Sequence, residues 1–145
     1  MEQTIQQKRA KFALEKITAL KPLPDFKSEK EEVRNKMQKD FEKEFVSYAS
    51  SLPAMIHTNG LGQAMAFCCV KGKKSIAYKK LYEIISAWLC QSPQTYANCK
   101  DNSGNYCVLI GITTKDMQSY QLAQAEALVL LSWVKKFAKA FLAEE

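Results

Sequence analysis

Side chains able to do chemistry are few in this chain, and their spacing suits no familiar catalytic constellation. His57 is the single histidine, so a mechanism that needs a histidine pair cannot be assembled within one chain. No G-x-S-x-G elbow is present to expose a serine nucleophile. Gly60-Leu61-Gly62 lacks the third glycine, the preceding strand and the Lys-Ser/Thr of a phosphate loop, and helix capping and close packing account for both glycines. Between residues 51 and 143 the acids are Glu83, Asp101, Asp116 and Glu126, too scattered to suggest a two-metal centre. Cys68 and Cys69 are adjacent, while Cys90, Cys99 and Cys107 are spaced C-x8-C-x7-C. This does not supply the C-x(2–4)-C pairs that tetrahedral zinc sites draw on. The five cysteines read as small core residues with no disulfide framework. No metal and no cofactor is expected, and the chain reads as a non-enzyme.

Positive charge is the more informative signal. The formal net charge is +6, with 11 basic against 9 acidic residues in 1–50 and 10 against 6 in 51–145. Lys71, Lys73, Lys74, Lys79 and Lys80 fall within ten residues that contain no acid, and Lys135, Lys136 and Lys139 form a second acid-free group. Such groups suit a polyanion, because each phosphate neutralised releases counterions. Charge alone is equally compatible with lysines that only keep helical surfaces soluble.

The elements that must carry these residues read as helices. With 5 Gly and 4 Pro in 145 residues, a turn-rich β protein is disfavoured. Ala10, Ala13, Leu14 and Ile17 share one face of a helix from about Glu2 to Leu20, stopped by Lys21-Pro22-Leu23-Pro24. Ser28 and Glu31 form a capping-box pattern that predicts a second helix start. Val33, Met37, Phe41, Phe45, Tyr48 and Leu52 form its apolar stripe, and alternating charges from Lys30 to Lys43 read as its solvated face. Pro53 at a first-turn position predicts a short helix to Thr58, turning at Asn59-Gly60. An apolar helix follows over 61–70, then a turn at Lys71-Gly72-Lys73-Lys74. Ser75 caps a helix to about Cys90 whose buried stripe is Ala77, Leu81, Ile84, Ile85, Trp88 and Leu89. Residues 91–115 read as a less regular loop region. Within it, Tyr106 to Ile110 is either a strand or a helical turn. Thr114 is the expected cap of a last helix reaching about Leu142. Its segment ALVLLSWV is apolar nearly all round, as in a central helix or one shared with a partner. The expected fold is all-α, a single-domain compact bundle of about five to six helices over residues 1–145. The polar N-terminus and the absence of a long apolar run predict a cytoplasmic chain.

Two stretches carry a family resemblance. Ser51 to Phe67 (SLPAMIHTNGLGQAMAF) is similar to an "LP-x-MI-x-x-NGLGQ-x-x-AF" signature. Ala125-Glu126-Ala127-Leu128 through Ser132-Trp133-Val134-Lys135-Lys136-Phe137-Ala138 is similar to an "EAL…W-hydrophobic-basic-basic-FA" helix. The helix from Tyr78 to Leu89, ending in Trp88-Leu89, adds to this, and Arg9-Ala10 fits more loosely. Together they resemble the small subunit of the type III-B CRISPR RNA-targeting (Cmr) effector complex.

The resemblance implies a non-catalytic subunit that stacks in a minor filament and helps hold paired guide RNA and target RNA while the backbone subunits cut the target. Its implied partners are the other Cmr subunits, notably the backbone subunit, further copies of itself, guide RNA and target RNA, with no membrane. A protein holding a duplex paired by its guide needs basic faces and no base readout. The two lysine groups are therefore the expected nucleic-acid contacts. The alternative from another class is a basic helical adaptor that binds only protein, and a third reading is a nuclease using His57. Small subunits of other CRISPR effector classes are also helical, but the NGLGQ stretch speaks against them.

Overall fold

The computed structural model describes residues 2–143. Five helices account for its regular structure: α1 (Ile5–Thr18), α2 (Glu31–Gly72), α3 (Ile76–Leu89), α4 (Val108–Thr114) and α5 (Met117–Phe141). Thr4 and Gln7 form a reciprocal capping box that starts α1 at Ile5, so the first turn begins later than the apolar pattern alone suggests. Ala13 and Ile17 are fully buried, whereas Leu14 sits at the edge of that face, 38% exposed.

The expected cap at Ser28 does not form. The Ser28 hydroxyl accepts from the Lys30 amide and its carbonyl accepts from Arg34, so the turn closes locally and α2 starts at Glu31. Phe26 packs edge-on against Phe41, with ring centroids 5.9 Å apart, and fixes the approach. In the α2 stripe Phe41, Phe45 and Leu52 are core, but Val33 and Met37 are exposed. The first turns of the helix thus project beyond the body that the later turns pack against.

Pro53 does not begin a helix; α2 runs through it. A proline inside a helix removes one backbone bond and costs about 3 kcal/mol. Here Leu52 and Ile56 on either side are fully buried, and that packing holds the helical path across the defect. The break falls at Gly60, with φ 86° and ψ 160°, a region essentially reserved for glycine. It divides α2 into a first arm (31–59) and a second arm (61–72), as the Asn59-Gly60 pair suggests. The turn is sharp. Tyr48 stacks on Tyr78 at 3.9 Å between centroids, and Phe67 meets the same ring at 5.5 Å. A straight helix would separate positions 48 and 67 by roughly 28 Å.

Ser75 caps α3 as expected, its hydroxyl accepting from the Tyr78 amide. All six residues of the expected α3 stripe are buried. The stretch 91–115 is only partly loop: Val108–Thr114 is α4, so the apolar run is helical from Val108 onward, while its first residue, Tyr106, forms an isolated antiparallel bridge with Lys100. Buried Tyr96 lies flat against Gly111, where a Cβ would approach the ring to 2.4 Å. Thr114 is the last residue of α4, not a cap; Asp116 caps α5 by accepting from Ser119. Hydrogen bonding to that amide holds the Asp116 carboxyl below its usual value.

In α5, Ala127, Leu130, Leu131 and Val134 are buried while Val129 is 42% exposed. The segment is therefore central and also presents an outer edge. Among the described residues, no helix is long and apolar enough to cross a membrane.

Candidate nucleic-acid interface

The sequence stretches that stand out as motifs meet one another in space. Glu126 of α5 is the hub of one meeting point. Its carboxylate takes a two-pronged contact from Arg9 of α1, Nε to Oε1 at 3.0 Å and Nη2 to Oε2 at 2.8 Å. Trp88 Nε1 of α3 donates to Oε1 at 2.9 Å, and Gln94 adds a longer bond at 3.4 Å. Phe12, one turn beyond Arg9, packs on the Trp88 ring at 5.0 Å. Arg9 and Glu126 side chains retain only 11% and 13% exposure. A planar guanidinium matched to a carboxylate is the geometry in which a desolvated ion pair is best satisfied.

A second meeting point lies at the α2 turn. Past Gly60 the second arm starts with backbone amides that have no intrahelical partner. The Leu61 amide donates to Gln124 Oε1 and the Gly62 amide to Tyr120 Oη, both at 2.9 Å. Two α5 side chains therefore cap a helix that is 58 or more residues away in sequence. A Cβ at Gly60 would lie 2.8 Å from the same tyrosine oxygen. The Gly-Leu-Gly sequence thus serves close approach and capping, and this is what its fixed order encodes.

None of the eight candidate lysines belongs to either meeting point. Lys71, Lys73, Lys74, Lys79, Lys136 and Lys139 are exposed, and Lys80 and Lys135 are half-buried. Lys80 is the exception in its bonding: it faces Asp25 at 3.7 Å and Glu83 at 3.6 Å. The other seven make no ion pair among the described residues, and Lys71 lies over the Phe67 ring, 5.6 Å from its centroid. The Lys80–Asp25 pair ties the first group to the connection between α1 and α2. The same connection holds the end of α5, through Lys21 Nζ to the Phe141 carbonyl at 3.5 Å. Both groups therefore lie toward one end of the bundle.

His57 is exposed on the first arm of α2. Cys68, Cys90 and Cys99 are buried, Cys69 and Cys107 half-buried, and all five are free thiols. Burial pushes the Cys68 and Cys90 thiols up to about 12, which marks them as neutral core groups.

The protein-family model described as CRISPR-associated protein (Cas_Cmr5) matches residues 5–141. The match begins at the first residue of α1 and ends at the last of α5. The chain belongs to the Cas_Cmr5 family. It is therefore a CRISPR-associated small subunit of the type III-B Cmr complex, as the two signature stretches imply. The stretches that carry that likeness hold the residues that pin α1, α3 and α5 together and the amides that open the second arm of α2, while the side chains capping those amides lie just outside them. What sequence reading missed is the role of these residues. Arg9 stood out only as a loose match, and Tyr120 and Gln124 gave no local signal.

Proposed function

We propose that this subunit is non-catalytic and cytoplasmic, that it stacks with copies of itself in the minor filament of the Cmr complex, and that it helps hold guide RNA and target RNA beside the backbone subunits that cut. The observation that carries the RNA contact is a set of seven candidate lysines without ion-pair partners, gathered toward one end of the bundle. Free ammonium groups release counterions on meeting phosphate, whereas a lysine already paired with an acid, as Lys80 is, contributes less. Lys71, Lys73, Lys74, Lys79, Lys135, Lys136 and Lys139 are thus the proposed contacts, with Lys80 a weaker one. A contact that reads only backbone charge needs no base-specific pocket at these positions.

Stacking requires protein surface as well. Leu122, Ala125 and Val129 recur at i, i+3 and i+7 along the outer side of α5, with Leu122 54% and Val129 42% exposed. We assign this stripe to contact with another subunit.

The test is a tagged pull-down from the native host. Co-purification of other Cmr subunits with short guide RNAs is the expected result. Recovery with protein partners but no RNA, unchanged when the seven lysines are reversed to Glu, would replace this reading with that of a protein-binding adaptor.

A further inference from the structure

A cleft of about 710 Å³ opens between α1, the second arm of α2, α3 and the loop before α4. Its volume is in the range of small-molecule sites, roughly 300–1,000 Å³. Lys16, Lys73 and Lys79 line it together with Tyr82, Tyr106 and Cys107. Three separate elements deliver the lysines, so no run in the sequence announces them as a group. Gly72 makes the rim possible: a Cβ there would come within 3.3 Å of the Lys79 backbone, so the turn carrying Lys73 lies directly against α3.

The cleft lining holds three ammonium groups against two carboxylates. Glu83 and Asp101 also line it, but both carboxylates are engaged. Glu83 faces Lys80 at 3.6 Å, and Asp101 accepts the backbone amides of Ser103 and Asn105 at 2.9 and 3.0 Å. Lys16, Lys73 and Lys79 make no ion pair among the described residues. The lining therefore keeps a net charge of +1, and none of its three lysines is bound to a carboxylate among the described residues.

Its wall is aromatic and apolar. The Tyr82 hydroxyl lies 3.6 Å from Cys107 Sγ. The Tyr106 ring is 42% exposed, with Lys100 placed 5.3 Å from its centroid. Cations on a rim and flat rings on a wall match a ligand with two chemical ends, an anionic phosphate and a planar base. A simple anion would use the lysines and leave the rest of the cleft without purpose.

We propose that this cleft binds one nucleoside phosphate, its phosphates held by Lys16, Lys73 and Lys79 and its base set against Tyr106 and Tyr82. The nucleotide is either free or a single residue of a bound RNA strand, and in the second case the inference rests on the proposed RNA contact.

The test is equilibrium dialysis of the full chain against adenosine diphosphate and against inorganic pyrophosphate. The expected result is one saturable site for the nucleotide and at least tenfold weaker binding of pyrophosphate. Tyr106→Ala weakens the nucleotide roughly tenfold and leaves pyrophosphate unchanged. Lys16→Glu with Lys79→Glu weakens both, with circular dichroism and melting temperature unaltered because these side chains are exposed. Equal affinity for the two probes, no saturation, or indifference to the lysine reversals overturns the proposal. Displacement of the nucleotide by a short oligoribonucleotide identifies the RNA strand as its source, and nucleotide binding without displacement identifies the free nucleotide; both leave the site standing. Persistence of nucleotide binding in a subunit whose Lys135, Lys136 and Lys139 reversals leave RNA retention unchanged would remove the RNA reading alone.

Discussion

The junction around Glu126 and the lysine-bearing end of the bundle use charge in opposite ways. At the junction, a carboxylate and a guanidinium are withdrawn from water and matched atom to atom, with an indole N–H completing the set. At the other end, seven ammonium groups remain without an ion-pair partner, and six of these lysines are exposed. A buried ion pair is specific because each partner is costly to leave alone. An exposed unpaired lysine costs the fold almost nothing and keeps its charge available to a ligand. Apart from Lys135 and Lys136, the residues that carry the family likeness are therefore not those proposed to touch RNA. They hold the scaffold that presents the others.

This contrast separates stability from binding, and the largest effect is expected at the junction. Glu126→Ala strands the Arg9 guanidinium at 11% exposure and removes the Trp88 acceptor. A loss of about 3–5 kcal/mol in urea unfolding is expected. Replacing both partners by apolar residues of similar volume, Arg9→Met with Glu126→Leu, should recover part of it. If the single change costs under about 1 kcal/mol, the junction is not the pin described.

Next comes the α2 turn. Gly60→Ala must place a Cβ at φ 86° and 2.8 Å from Tyr120 Oη. The expected cost is about 2–3 kcal/mol, seen as a lower urea midpoint with the slope unchanged. An unchanged midpoint would mean that the turn relaxes freely.

A smaller effect is expected at alkaline pH. Burial raises the folded-state values of Cys68 and Cys90 from the ordinary 9.0 to about 12. Unfolded thiols lose their protons above about 9 while the folded ones keep theirs, so the stability they contribute is fully present below that pH. It is lost progressively as pH rises toward 12. Thiolate absorbance rising ahead of the loss of helical circular dichroism would show that these thiols ionise in the folded state, against this expectation.

The smallest effect on stability is expected at the lysines. Lys135→Glu, Lys136→Glu and Lys139→Glu together should move the unfolding free energy by no more than about 0.5 kcal/mol per site. Retention of RNA by the assembled complex should fall, and its salt dependence should flatten by roughly one unit of slope per phosphate contact removed. Unfolding of this variant would show that these lysines are part of the scaffold.

Much of the fold was legible in the sequence because helices are set by local spacing. The α3 stripe, the Ser75 cap and the division of α2 near Gly60 all follow from residues within a turn or two of each other. The misses have the same origin. Ser28, Pro53 and Thr114 each carry a valid local signal, and each is overruled by a neighbour or by packing: Arg34 on the Ser28 carbonyl, buried Leu52 and Ile56 around Pro53, and Asp116 two residues beyond Thr114. Tyr106 to Ile110 is too short for periodicity to choose between strand and helix, and the helix is decided where Val108 enters the core.

An all-helical chain, the breaks near Pro22, Gly60 and Ser75, and two acid-free groups of lysine follow from the amino-acid order alone. That order also carried the family signature, since that signature is a string of residues. Only the tertiary structure decided what the signature does. Arg9 finds Glu126 across 117 positions, and Gln124 caps Leu61 across 63. Lys16 joins Lys73 and Lys79 at one cleft from three different elements. Local periodicity fixes which face of each helix is buried. Which groups then meet across those faces depends on how the helices pack, and that packing sets both the matched charges at the junction and the unmatched ones at the rim.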